Sequence, residues 1–350
     1  MNNEKIVKKR ERNYGLEILR SIMCFWVIVF HCLKTTRFTF IKIFKQKMFH
    51  VPCFFFISFF FLYPVIIKKN KDKMILRLER LLIPYIAWPI TIWVANNIIY
   101  YLLKKSRIRK FLQFKYLKKQ LIIGRVFLTH FWFLFNLLFF TIIFLILIHF
   151  LKKRGFLVFV QITGIISYFL QYSEYNYIFF EKFSSRISHT IGHFAESFPI
   201  AAAAFTLSET KFVNNIKGNK FLRTMIILYS FIALFFIYKY EILKGIPKYS
   251  KKYTCHGIDK NAFSFFIFIG ASLIPLNECM SNKLKIFIKL ITNYTQGIYC
   301  MHRSVEYYSL KYLKIKPNIF GCTFIYIFSY LISFLGVKLF GKTKIRYLFV

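Results

Sequence analysis

Three side chains that hydrocarbon disfavours lie inside one apolar run, Tyr14 to Cys32: Glu17, Arg20 and His31. Eleven residues separate Arg20 from His31. At 100° per residue that is three helical turns plus about 20°, so the two side chains share a stripe roughly 16 Å long. Glu17 lies one turn before Arg20 and can pair with it. An ionisable residue inside a membrane helix is a functional hypothesis by default. An imidazole can take a proton near neutral pH or carry a group covalently. The guanidinium is either a snorkelling helix-end group or an anion contact.

Further candidates follow along the chain. Arg77 and Arg80 are three apart and share one helical face, where planar guanidinium forks would suit phosphate; ordinary interfacial anchoring is the plainer alternative. His130 and Trp132 precede an apolar run and could contact a sugar or belong to an interfacial aromatic belt. His302 stands one turn before Glu306 and could pair with it. His189, His193 and Glu196 share a face, but the pattern HTIGH lacks the glutamate of HExxH, so a polar cavity wall is preferred to a metal site, and no metal is expected. His149, before KKR, reads as interfacial.

The elements that must position these groups are membrane helices. Of the 350 residues 57% are hydrophobic, and mean hydropathy is +0.48. Apolar runs of about 20 residues recur throughout. The fold class expected is all-α, a polytopic integral membrane helical bundle forming one domain over residues 1–350, with residues 1–13 as a basic cytoplasmic lead. No signal peptide is expected, because the first apolar run holds Arg20 and no small-residue cleavage site follows. Ten helices are expected at about 15–33, 50–67, 80–103, 131–151, 155–172, 190–208, 221–239, 261–278, 285–303 and 318–341. The basic stretch Lys104 to Arg125 reads as amphipathic and interfacial.

The net charge of +39 does not argue for nucleic acid. Lys and Arg gather at helix ends, where snorkelling and anionic lipid favour them. The seven cysteines show no CxxC and mostly lie in apolar runs, as small hydrophobes do. Loop charge does not orient the chain: alternate loops give about 24 Lys and Arg on the N-terminal side and about 26 on the other. The basic N-terminus, KKNKDK and KKR favour a cytoplasmic N-terminus. An even helix count then puts both termini on that side.

GLEILR followed by ten residues and His31 resembles the signature of the acyltransferase-3 membrane family. HVPCFFFISFFF from His50, RLERLLIPYIAW from Arg77, HFWFL from His130 and GIYCMH from Gly297 are similar to its later motifs, in the same order. One departure stands out: the family's second helix usually reads Ser-Gly after the aromatics, and here Phe59 follows Ser58. The resemblance implies about ten helices and an O-acyltransferase of the cell (inner or plasma) membrane. The acyl group, acetyl by expectation, passes from acyl-CoA to a hydroxyl of a cell-envelope carbohydrate. No tightly bound cofactor is implied; acetyl-CoA is a co-substrate, membrane lipid the surroundings, and partners in glycan synthesis stay open. His31 would be the catalytic base or acyl carrier, with Arg20 beside it in the catalytic set. Arg77 and Arg80 would hold the donor, and His130, Trp132, His302 and Glu17 would line the acceptor site. The rival reading is a polysaccharide or lipid transporter with an intramembrane polar pathway, although no internal repeat is visible.

Overall fold

The computed structural model describes residues 12–33, 49–103, 113–123, 129–172, 185–243 and 257–349. Most of the basic lead, both ends of the Lys104–Arg125 segment, the polar loop before residue 185 and most of residues 240–260 lie outside the described residues. The regular structure among the described residues is helical, without strands. Among the described residues, seven helices are long and apolar enough to cross a membrane.

Helix α1 (Tyr14–Cys32) starts at Asn13, whose side chain accepts from the Leu16 amide. This satisfies an N–H that the first turn cannot pair internally. The Asn13 amide nitrogen also donates to the Ser272 carbonyl at 2.7 Å, and Asn277 accepts from the Tyr14 amide. Helix α2 (His50–Ile67) and helix α3 (Lys71–Leu103) follow, then a short helix α4 (Phe114–Ile123) with Lys115, Lys118 and Lys119 exposed and Leu117 buried. That pattern suits the interfacial role expected of this segment.

Helix α5 (Trp132–Tyr172) contains the two expected helices in one element. Its backbone leaves helical geometry at Lys152 (φ 54°, ψ −179°). Phe144 and Phe156, on either side, bring their rings to 5.8 Å, and both touch Phe205. A straight helix would hold residues twelve apart about 18 Å from each other, so the two arms fold back at KKRG. Helix α6 (Ser185–Glu209) packs along both arms. Helices α7 (Phe212–Lys217), α8 (Lys220–Leu243), α9 (Gly257–Leu273) and α10 (Leu276–Cys279) continue the bundle.

The ninth expected span is corrected. It is two helices, α11 (Asn282–Thr292) and α12 (Thr295–Lys311), broken at Asn293 and Tyr294. Helix α13 (Ile319–Phe340) and a 3₁₀ turn, Lys344–Leu348, complete the chain. The eighth expected span, 261–278, covers α9 and the short α10 after a bend at Ile274 and Pro275, and the remaining eight each coincide with a helix or one arm of α5. The α12 segment and α6 carry polar residues and fall outside the seven apolar spans.

Phe59 is fully buried. It stacks on Phe55 and meets Phe140, Phe144 and Phe205 edge-on at 5.6–6.0 Å. The position where the resemblance implies glycine is thus filled by the ring that joins α2 to α5 and α6. Cys24, Cys32, Cys53, Cys300 and Cys322 are buried, whereas Cys279 is exposed.

A chain of contacts ties the two ends of the described chain together. Asn277 donates to the Arg12 carbonyl, Arg20 to Thr292, Gln296 to Arg80, and Lys344 pairs with Glu79. The described chain therefore returns to the face from which it starts.

Candidate active site

Four histidines collect at the opposite end of the bundle. His31 lies in the last turn of α1, His50 opens α2, His130 sits in a 3₁₀ turn (Thr129–Phe131) before α5, and His302 is midway along α12. The His31 and His302 rings are 5.5 Å apart and 26° from parallel. His130 and His302 are 4.9 Å apart. Phe30 touches both His31 and His50. Residues from four separate elements thus converge on one spot.

Two imidazoles are pinned by backbone. His302 Nδ1 lies 2.6 Å from the Tyr299 carbonyl, and His130 Nε2 lies 3.2 Å from the Cys300 carbonyl. A carbonyl only accepts, so each facing nitrogen carries the proton. In the neutral form of each ring the other nitrogen, His302 Nε2 or His130 Nδ1, is then a bare lone pair. Both are buried without a hydrogen-bond partner among the described residues. Tyr299 organises the pair further: its hydroxyl donates to the His130 carbonyl at 2.5 Å, and its ring lies 5.7 Å from each imidazole. His31 is half-buried and His302 wholly enclosed, so His31 is the imidazole a substrate would meet first.

The expected partner of His302 is corrected. Buried Glu306 accepts from Arg303 at 2.6 Å, and His302 turns to the Tyr299 carbonyl instead. On a helix, residues four apart have no monopoly on each other when a position three away offers a guanidinium.

The arginines lie toward the other end. Arg20 pairs with Glu17 at 3.1 Å and donates to the Thr292 carbonyl at 2.6 Å. That carbonyl ends α11, where the helix leaves acceptors unpaired and its dipole favours a cation. Arg20 is a third exposed and shares no described contact with the imidazoles. Arg77 and Arg80, expected on one face, address different neighbours. Arg77 Nε donates to Thr141 at 3.4 Å, and its buried Nη2 has no hydrogen-bond partner among the described residues. Arg80 is exposed and lies over the Tyr347 ring. The Arg80 carbonyl has no helical donor because Pro84 lacks an N–H, and Gln296 Nε2 donates to it at 2.5 Å. Trp132 stands one layer from the imidazoles, against Phe55. The side chains of His189 and His193 lie outside the described residues; Glu196 is half-buried in α6 and His149 is exposed.

Sequence reasoning passed over His50, Tyr299 and Gln296 as site components. A histidine opening an apolar helix was a readable signal for His50. Tyr299, one turn before His302, was readable only as part of GIYCMH. Gln296 gave no signal.

A family model described as an acyltransferase domain matches residues 13–338. No curated protein and no solved structure matches the chain.

Proposed function

Because the chain belongs to the acyltransferase-3 family, we propose that it is a membrane O-acyltransferase that moves an acyl group, acetyl by preference, from acyl-CoA to a hydroxyl of a cell-envelope carbohydrate. The observation that carries the reading is the imidazole cluster, with half-buried His31 5.5 Å from the enclosed ring of His302.

In the proposed reaction His31 takes the acceptor's hydroxyl proton as that oxygen attacks the thioester carbonyl. The carbon–sulfur bond breaks, and the resulting thiolate recovers the proton from the imidazolium. His302, whose ring is 5.5 Å from His31, and His130 behind it are held by backbone carbonyls and would wall the site in which this transfer takes place.

Donor and acceptor would approach from opposite ends. Arg20, Arg77 and Arg80 lie toward the face of the termini, and the imidazoles toward the other. Gln296, bonded to the Arg80 carbonyl, is six residues from His302, about 9 Å of helix rise. A pantetheine arm spans that distance with its phosphates left at the arginines. The basic N-terminus, KKNKDK and KKR favour a cytoplasmic position for both termini in the cell membrane. His130 and Trp132 would line the acceptor's path.

The test compares ester content of the cell-envelope glycans by NMR in cells with the wild-type chain, with His31→Ala, and without the protein. Esters present only with the wild type support the reading. Equal ester content in all three overturns it, and transport of an unmodified glycan would favour the rival class.

A further inference from the structure

The proposed transfer places negative charge on the thioester carbonyl oxygen, and a donor must receive it. The imidazoles are otherwise engaged. His302 and His130 each turn a nitrogen to a backbone carbonyl, and His31 handles the hydroxyl proton. Arg20 lies about 16 Å along α1 from His31. The donor must come from another side chain around the cluster.

Arg303 follows His302 on α12 and stands one turn after Tyr299, about 40° around the helix. Its guanidinium is close enough to His31, His130 and His302 for its charge to act on all three. Arg303 Nη1 donates to Glu306 Oε2 at 2.6 Å. Glu306 is buried, so the carboxylate that holds the guanidinium is itself fixed by packing. More than a third of the Arg303 side chain is exposed. Glu306 takes one of the five guanidinium N–H groups, and among the described residues the side chain makes no other hydrogen bond. A cation anchored on one side and open on the other thus stands beside the half-buried imidazole.

The pairing decides which anion suits it. A permanent anion would meet repulsion from Glu306 as well as attraction from Arg303. Charge that develops only during reaction needs less, a fixed N–H already aimed at the reacting oxygen.

We infer that Arg303 is a catalytic residue, the oxyanion donor of this site, with Glu306 as the residue that positions it. The inference rests on the acyltransferase reading above. As the acceptor oxygen bonds to the thioester carbon, the carbonyl π pair moves onto the carbonyl oxygen, and an Arg303 N–H donates to that oxyanion. When the pair returns, the carbon–sulfur bond breaks. The thiolate then takes the proton that His31 removed from the hydroxyl.

The test measures thiol release from acetyl-CoA by inverted membrane vesicles that hold the native acceptor, with acetyl-CoA titrated to separate maximal rate from donor KM. Arg303→Ala should lower the maximal rate about 10²–10³-fold, the cost of one oxyanion donor, at a donor KM near wild type. Arg303→Lys should recover part of it, because an ammonium keeps the charge without the planar fork. Guanidinium chloride below denaturing concentration should restore part of the rate to Arg303→Ala and none to His31→Ala, a recovery that a purely structural role does not give. Arg303→Ala leaves Glu306 buried without its cation. The double variant Arg303→Met, Glu306→Gln removes both charges and should show the same loss of rate. A double variant that works at the wild-type rate overturns the assignment, and so does a loss expressed only as a higher donor KM. If the wild type releases no thiol and its cells carry no glycan ester, the acyltransferase reading falls and this role with it.

Discussion

The bond from Gln296 to the Arg80 carbonyl allows a double-mutant test in which a proline explains a glutamine two hundred residues away. Pro84 has no amide hydrogen, so the Arg80 carbonyl loses its partner four residues on. Gln296 replaces that partner at 2.5 Å. Gln296→Leu should therefore destabilise the protein by about 1 kcal/mol, the net worth of an ordinary hydrogen bond, because the bond is exposed and water can reach the carbonyl it leaves. Pro84→Ala restores an N–H at the missing position. In that background Gln296→Leu should cost close to nothing, giving a coupling of about 1 kcal/mol between residues in one network. Thermal unfolding of the four purified proteins in one detergent reads this as a loss of about 2–4 °C for Gln296→Leu alone. Equal losses from Gln296→Leu with and without Pro84→Ala would refute the reasoning, since the glutamine would then act through something other than the vacant carbonyl.

Other outcomes follow from the same geometry. His31→Ala should abolish acyl transfer while coenzyme A titration stays near wild type, and adding Val29→His should not restore it, because two residues turn the imidazole about 200° away. Transfer by either variant would remove His31 from the chemistry. Tyr299→Phe loses the hydroxyl bond to the His130 carbonyl and should lower kcat more than it raises the donor KM; an unchanged kcat would show that the His130 turn holds without it. Phe59→Ala empties the centre of the aromatic cluster and should cost about 3–5 kcal/mol, read as loss of folded protein on heating in detergent; a small shift would mean the cluster collapses to fill the gap. In a Cys255→Ser background, a membrane-impermeant thiol reagent should label exposed Cys279 in inverted vesicles and not in intact cells. Labelling from the outside only would reverse the orientation.

The sequence by itself determined the helical class, because runs of about 20 apolar residues leave the backbone no other way to satisfy its hydrogen bonds in lipid. It also marked Arg20 and His31 on one stripe, because helical rotation is a local property. The stop at KKRG was legible as charge and glycine between apolar runs. What lay beyond it was how far the chain turns there, which the Phe144, Phe156 and Phe205 contacts set. The break at Asn293 and Tyr294 was hidden as well. The residues around it read as one continuous span, and the break is held by Arg20 reaching the Thr292 carbonyl from another helix. The assembly of His31, His130 and His302 was decided only by tertiary packing. Each histidine looked like an isolated polar residue in its own run, and the fixed ring protons depend on carbonyls that α12 presents. The same holds for Arg346. Around it the chain reads only as a basic, aromatic tail, and its place against α12 and α13 arises because Gly297 and Gly336 leave room for Phe349. Local patterns fix which groups a helix carries; which groups from distant helices meet depends on how the faces pack, and no spacing along the chain records that.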